Sequence, residues 1–211
     1  MPDVAPPIVL TGRVVRLEPL SLDHVSAMCE VGLDPELWRL TVSHVGSAAD
    51  MRRYVETALA DAARGVALPF AQIDLASGRV AGSTRLGNWA PEHRRIEIGW
   101  SWVARPWQRT ALNTEAKLLL LTHAFESLRC ERVELKTDAL NVGSRRAILR
   151  IGATEEGTLR HHMITDSGRV RDTVYFSVLA AEWPRVRARL LARLEADPSA
   201  GSAPIDDALQ P

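Results

Sequence analysis

The stretch "RRIEIGWSWVARPWQRTALNTEAKLLLL", residues 94–121, joins two hydrophobic periodicities across a turn. Up to Val103 the apolar residues alternate, as a strand requires; from Leu112 onward they follow a buried helix. The segment after it, "CERVELKTDA" (130–139), alternates again. Strand, helix and strand predict a right-handed parallel crossover over 94–138. Simple alternation puts Trp100 and Trp102 on one face of the first strand and Glu97, Gly99 and Ser101 on the other.

Outward from this unit the signals change. "GRVVRLEPL" (12–20) alternates as a strand. "SLDHVSAMCEVGL" (21–33) reads as a helix capped by Ser21, and "SAADMRRYVETALADAARG" (47–65) as an amphipathic helix from Ser47 to the stop at Gly65. "LPFAQIDLASGRVAGSTRLGNW" (68–89) predicts two strands around Ser77-Gly78. After residue 140 come a short helix (142–152), a hairpin across "DSG" (166–168) and a last helix (181–196). The order β α α β β β α β α β β α implies an α/β fold with one mixed sheet, most of whose neighbours are antiparallel. A single domain is expected over 8–196, with flexible tails at 1–7 and 197–211.

Basic and acidic residues number 26 each, so no global field favours nucleic acid or an anionic membrane. The only lysines are Lys117 and Lys136. Cys29 and Cys130 form neither a disulfide framework nor a metal spacing, and no metal site is expected. No signal peptide or membrane-spanning run is legible, which predicts a cytoplasmic protein.

The loop 105–114 precedes a helix whose first amides lack intrahelical partners. Such a terminus receives phosphate through backbone N–H groups, aided by the macrodipole. Arg105, Gln108, Arg109, Thr110, Asn113 and Thr114 add side-chain donors, and Asn113 or Thr114 is the expected cap. Neither G-K-[ST] nor G-x-G-x-x-G is present, so nucleotide hydrolysis and hydride transfer lack their loops.

"EIGW", "NTEAKLLLL…AFE", an N-x-x-S at Asn141–Ser144 and "AILRIGA" (147–153) fall in one order. That order resembles the GNAT acyl-CoA N-acyltransferases, and within them the Rim-like branch, whose namesakes acetylate N-termini of ribosomal proteins. The resemblance implies a V-shaped sheet with helices on both faces and acetyl-CoA, or another acyl-CoA such as succinyl-CoA, as cosubstrate. The family's pyrophosphate turn, Q/R-x-x-G-x-G/A, maps to Gln108, Arg109, Thr110, Ala111, Leu112 and Asn113, with Thr114 next. Ala111 and Asn113 replace small glycine-type positions, and Arg109 stands where glycine is also common. The resemblance further implies pantetheine contacts at Trp102, Val103, Asn141 and Arg145, with the amide near Val103 as oxyanion donor.

Acyl transfer from a thioester needs a neutral amine, oxyanion stabilisation and a proton for the departing thiolate. Ser144 is the implied proton donor; the alternative has Asn141 ending a strand and Ser144 capping a helix. Glu97 is the candidate general base, to take the ammonium proton directly or through water. Its alternative is an ion pair with an arginine on the neighbouring strand, such as Arg85. Glu115 reads as a first-turn complement to the helix dipole. Arg85, Trp100 and His162 are substrate-groove candidates; His161 and His162, adjacent on a strand, should face opposite ways. The acceptor is an amine: a protein N-terminus, a lysine or a small amine. A homo-oligomer is compatible with the family. The altered loop also leaves open a non-catalytic acyl-CoA-binding module.

Overall fold

The structure, a computed structural model, describes residues 8–197. The expected tails, 1–7 and all but the first residue of 197–211, lie outside the described residues. One eight-stranded sheet runs in the order β1-β2-β3-β4-β5-β6-β8-β7. Its strands are β1 (Leu10–Thr11), β2 (Val15–Pro19), β3 (Ala67–Asp74), β4 (Val80–Ala90), β5 (Arg95–Val103), β6 (Arg132–Asp138), β7 (Thr154–Ile164) and β8 (Val170–Leu179). Among the described residues only β5 and β6 pair in parallel; the other neighbours are antiparallel. The mixed, largely antiparallel sheet expected from the sequence is therefore present.

Helices cover both faces. On one lie α4 (Ala111–Thr122), α5 (Val142–Ile151) and α6 (Trp183–Glu195), packed on Val15, Leu86, Ile96, Val133 and Phe176. On the other lie α1 (Val25–Gly32), the short α2 (Pro35–Trp38) and α3 (Ala48–Ala63), closing over Ala71, Ile73 and Trp102. The stripe expected on α3 is the buried one: Met51, Tyr54, Val55 and Ala58, with Leu59 at its margin. Ser47 caps it by accepting from the Asp50 amide. Helix α2 escapes a periodicity search because it is four residues long; Asp34 caps it, with Pro35 at its first position. The strand expected over 12–20 is shorter, β2 alone, because residues 12–14 form the turn of a hairpin with β1, which the sequence reading missed.

Two irregularities shape the sheet. First, β5 and β6 pair only at Arg95↔Arg132, Ile96↔Val133 and Glu97↔Glu134. Beyond these pairs β5 continues to Val103 and β6 to Asp138, so the two strands part and the sheet opens as a V. Second, the β4–β5 register jumps from Arg85↔Gly99 to Ser83↔Trp102. Trp100 and Ser101 thus oppose the single residue Thr84, which is a β-bulge. Trp100 sits at φ +49°, a left-handed conformation costing a β-strand side chain about 1–3 kcal/mol.

The bulge corrects the face assignment on β5. The Trp100 ring lies over Gly87 and Arg85, whose partners are Glu97 and Gly99. Glu97, Gly99, Trp100 and Trp102 therefore share the α3 face, and Ser101 alone turns to α4, where it meets Lys117 and Thr84. One extra residue reverses the alternation after Gly99. A second correction of this kind falls on β7. His161 has φ +49° and the β7–β8 register shifts between Leu159 and Met163, so the pair His161–His162 does not obey simple alternation.

Candidate functional site

The open end of the V meets the loop between β5 and α4. Arg105–Trp107 form a short turn, Gln108 is extended, and Arg109 adopts φ +64°. A left-handed residue is what glycine supplies without strain; here an arginine supplies it, its side chain exposed. The Gln108 amide donates to the Val103 carbonyl at 2.8 Å, tying the loop to the end of β5. Arg105 is held by Asp34, just before α2. A shallow groove beside them is lined by Glu36, Leu37, Arg105, Gln108 and Arg109.

Thr110, not Asn113 or Thr114, caps α4. Its hydroxyl accepts from the Leu112 amide at 3.3 Å and donates to the Trp107 carbonyl at 2.8 Å. Three cap-competent residues stand close together here, and the tight turn after Arg109 selects the first. Ala111 and Leu112 are fully buried by their side chains, so any ligand contact there runs through the backbone. Asn113 and Thr114 are half-buried in the first turn.

Glu115 is not a dipole complement. It is buried and accepts from the amides of Arg13, Val14 and Val15 at 2.8, 2.7 and 2.8 Å. A Cβ on Gly12 would collide with its carboxylate. This carboxylate anchors the β1–β2 hairpin to α4. Two residues on, Lys117 is buried and donates to Ser101 Oγ at 2.8 Å. Burial pulls its ammonium down to about 7.

On the far arm of the V, Asn141 Oδ1 accepts from the Ser144 amide at 2.9 Å. Asn141 is therefore the cap of α5 and Ser144 its third residue, which corrects the alternative in which Ser144 was the cap. The Ser144 side chain is half-buried. Arg145 is engaged with Glu155 at 3.2 Å, across to β7.

Glu97 is buried on the α3 face, beside the point where β5 and β6 part. Its Oε2 accepts from Asn88 Nδ2 at 2.6 Å and pairs with Lys136 Nζ at 2.8 Å. The ion-pair partner is thus Lys136 on β6 and not Arg85. Arg85 is buried between the rings of Tyr54 and Trp100, at 4.8 and 5.3 Å, and reaches Asp61 at 3.4 Å. It supports Trp100 and does not itself open onto a groove. Trp102 is buried against Trp38, whose ring also meets Tyr54, leaving only its backbone near the V. Trp100 is 37% exposed, and exposed His162 packs edge-on against Tyr175 at 5.7 Å.

Lys136 is half-buried. Burial opposes its charge, but Glu97 and Tyr175 outweigh burial and hold its pKa above the ordinary lysine value. Sequence reasoning passed over Lys136, Asn88 and Tyr175. The signal available was the rarity of lysine, since the two lysines of the chain both bind β5 side chains, Lys117 from a buried and Lys136 from a half-buried position. No group of three or more potential metal ligands occurs among the described residues, and no described helix is long and apolar enough to cross a membrane.

Comparison with known proteins bears on this geometry. Residues 15–154 match the family described as "Acetyltransferase (GNAT) domain". The chain is 36% identical over 109 residues to "Putative ribosomal N-acetyltransferase YdaF" of Bacillus subtilis (strain 168), a match covering 52% of this chain and 58% of that protein. The crystal structure of a "putative acetyltransferase" from T. thermophilus superposes with a TM-score of 0.83 at 39% identity, covering 90% of this chain and 98% of that one. Mycobacterium smegmatis RimJ, solved in complex with CoA-disulfide, superposes with a TM-score of 0.73 at 26% identity, covering 90% and 93%.

Proposed function

Because the chain belongs to the GNAT acetyltransferase family, we propose that it moves an acetyl group from acetyl-CoA to a primary amine on a protein. The observation that carries this reading is the parting of β5 and β6 beside the first turn of α4. Where pairing stops, the facing edges of two strands expose backbone donors and acceptors to whatever enters the V. An elongated ligand with amide groups along its arm fits that edge, and a diphosphate at its end fits the helix N-terminus.

Acetyl-CoA supplies the activated acyl carbonyl; the chain supplies position and proton handling. Val103, at the end of β5 and clamped by Gln108, is the candidate backbone donor to the developing oxyanion. Gln108, Arg109, Thr110, Asn113 and Thr114 form the phosphate end, with Ala111 and Leu112 contributing backbone only. Asn141 and Ser144 flank the other arm, Ser144 as hydrogen-bond donor to the leaving sulfur. Glu97 takes the proton that the amine loses, directly or through water. Trp102 and Arg85 are buried and contribute support, while Arg145, part-exposed beside Glu155, stays a candidate cofactor contact. Trp100 and His162 remain exposed at the acceptor side.

A protein acceptor is favoured by the ribosomal acetyltransferase named among the relatives. Free-thiol release with acetyl-CoA and succinyl-CoA, over a panel of peptides and small amines, tests the reading. Acetyl-CoA with a peptide should give turnover. Stabilisation by acetyl-CoA with no thiol release from any amine would replace it with a binding module. No stabilisation at ligand about 100 times a micromolar Kd, where about 2.7 kcal/mol is expected, would remove both.

A further inference from the structure

The base candidate does not stand alone on its face of the sheet. Glu97 on β5 has Asn88 of β4 and Lys136 of β6 on the same oxygen. From β8, Tyr175 stands 5.5 Å under the Lys136 ammonium, and Arg171 lies close enough for Glu97 to act on its charge. Asp138, further along β6, is taken by Arg169 and lies 4.0 Å from Arg171. His162 of β7 covers the edge of Tyr175. Glu134, two residues before Lys136, is engaged by Arg95 and Arg132. Glu97, Glu134 and Asp138 are thus met by five cations, Lys136, Arg95, Arg132, Arg169 and Arg171, and each of the three carboxylates is already engaged.

An amine acceptor arrives in water mostly as an ammonium. A buried carboxylate with no cation would bind that ammonium and deprotonate it in place. Here the position is filled: Lys136 Nζ sits 2.8 Å from Glu97 Oε2, in a half-buried site where like charges repel strongly. Resting on the acetyl-transfer reading above, we infer that Lys136 is a specificity-determining residue: its ammonium, seated on Glu97, turns away a second ammonium, so the acceptor enters as the free amine. Glu97 then receives the proton only as the new amide forms. The nitrogen gains its bond to the acyl carbon, the carbon–sulfur bond breaks with its electron pair on sulfur, and the amine proton passes to Glu97.

Discrimination follows from how much free amine each acceptor offers. α-Amino groups titrate near 7.7–8.0 and lysine side chains near 10.4. At pH 7.5 the free-amine fractions differ by on the order of a hundredfold in favour of the α-amine. Lys136 itself stays charged across this range, because Glu97 and Tyr175 raise its pKa.

The test uses acetyl-CoA and two peptides, one with a free N-terminus and a blocked lysine, the other the reverse. kcat/KM is measured from pH 6.5 to 9.5 for the unmodified protein, Lys136→Arg and Lys136→Gln. The unmodified protein should favour the α-amine by on the order of a hundredfold at pH 7.5. The lysine peptide should gain about tenfold per pH unit, while the α-amine levels off above about pH 8. Lys136→Arg should keep this pattern; Lys136→Gln should narrow the preference to under about tenfold by raising the lysine peptide. An unchanged preference in Lys136→Gln, or parallel pH profiles for the two peptides in the unmodified protein, would overturn the inference. Should Lys136→Gln not fold, Lys136→Met, which keeps the apolar stem and removes the charge, is measured in its place with the same two outcomes. Turnover with neither peptide would overturn the transfer reading, and this inference with it; turnover without discrimination would overturn this inference only.

Discussion

Lys117 Nζ, deep in α4, donates a hydrogen bond of 2.8 Å to Ser101 Oγ, the one residue of the β5 bulge that turns toward that helix. Thr84, the residue that the bulge opposes, completes the contact at 2.7 Å to the same hydroxyl. The strained segment of the strand is therefore fastened from the α4 side by a buried amine.

That amine makes stability depend on pH. Its pKa is near 10.5 when exposed and falls to about 7 in the fold. Between those values the unfolded chain holds more protons than the folded one, so stability rises with pH across the window and the penalty is full below about 7. Lys117→Met should raise the melting temperature at pH 6.5, by an amount equivalent to a few kcal/mol less the lost hydrogen bond. The gain should shrink or reverse by pH 9.5. Melting curves of both proteins at the two pH values check this.

Glu115→Gln should destabilise by about 2–4 kcal/mol in urea titration. The amide keeps the shape but turns one of the two acceptor oxygens into a donor facing the N–H groups of residues 13–15. Gly12→Ala should cost a similar amount, because its new methyl meets the same carboxylate.

Arg109 separates backbone from side chain at the phosphate turn. Arg109→Gly should stabilise the free protein by about 1 kcal/mol, since glycine accepts φ +64° without strain. Arg109→Ala should not. Both should weaken CoA binding about fivefold to tenfold if the guanidinium holds the diphosphate, as calorimetry would read.

Ser144→Ala should lower kcat at least tenfold with little change in CoA affinity, because Asn141 caps α5 through the Ser144 amide and not its hydroxyl. Affinity falling while kcat holds would move Ser144 from proton donor to ligand. Asn141→Ala, by contrast, should cost about 1 kcal/mol of stability through the lost cap.

The crossover over 94–138 was legible because a strand period, a helix period and a second strand period follow one another without interruption. That Glu97 and Gly99 share a face was legible for the same reason, as both precede the bulge. Trp100 was not: the pattern Trp-Ser-Trp alternates perfectly, and a left-handed residue leaves no trace in composition when it is not glycine or asparagine. Lys136 was not, because its meeting with Glu97 depends on which residues of two parallel strands align, and the helix and loops between those strands decide that. The cap of α4 was misplaced among Thr110, Asn113 and Thr114, three residues with the same local chemistry. Arg85 was a substrate-groove candidate and an alternative partner for Glu97; its burial between two rings depends on α3 and β5 arriving together.

The bulge at Trp100 and Ser101 also sets what kind of sequence change this strand can absorb. Substitutions there alter one contact at a time. Deleting either residue would restore regular pairing with β4 and leave Trp102 opposite Ser83, on the same face as Gly99. Trp102 would keep its place against Trp38 and the Val103 carbonyl its bond to Gln108, while either the Trp100 ring over Arg85 or the Ser101 hydroxyl between Lys117 and Thr84 would be lost. The extra residue thus lets one strand position serve both faces of the sheet: a single-codon deletion should leave the strand paired as before and remove one of the two contacts, the ring over Arg85 or the hydroxyl beside Lys117.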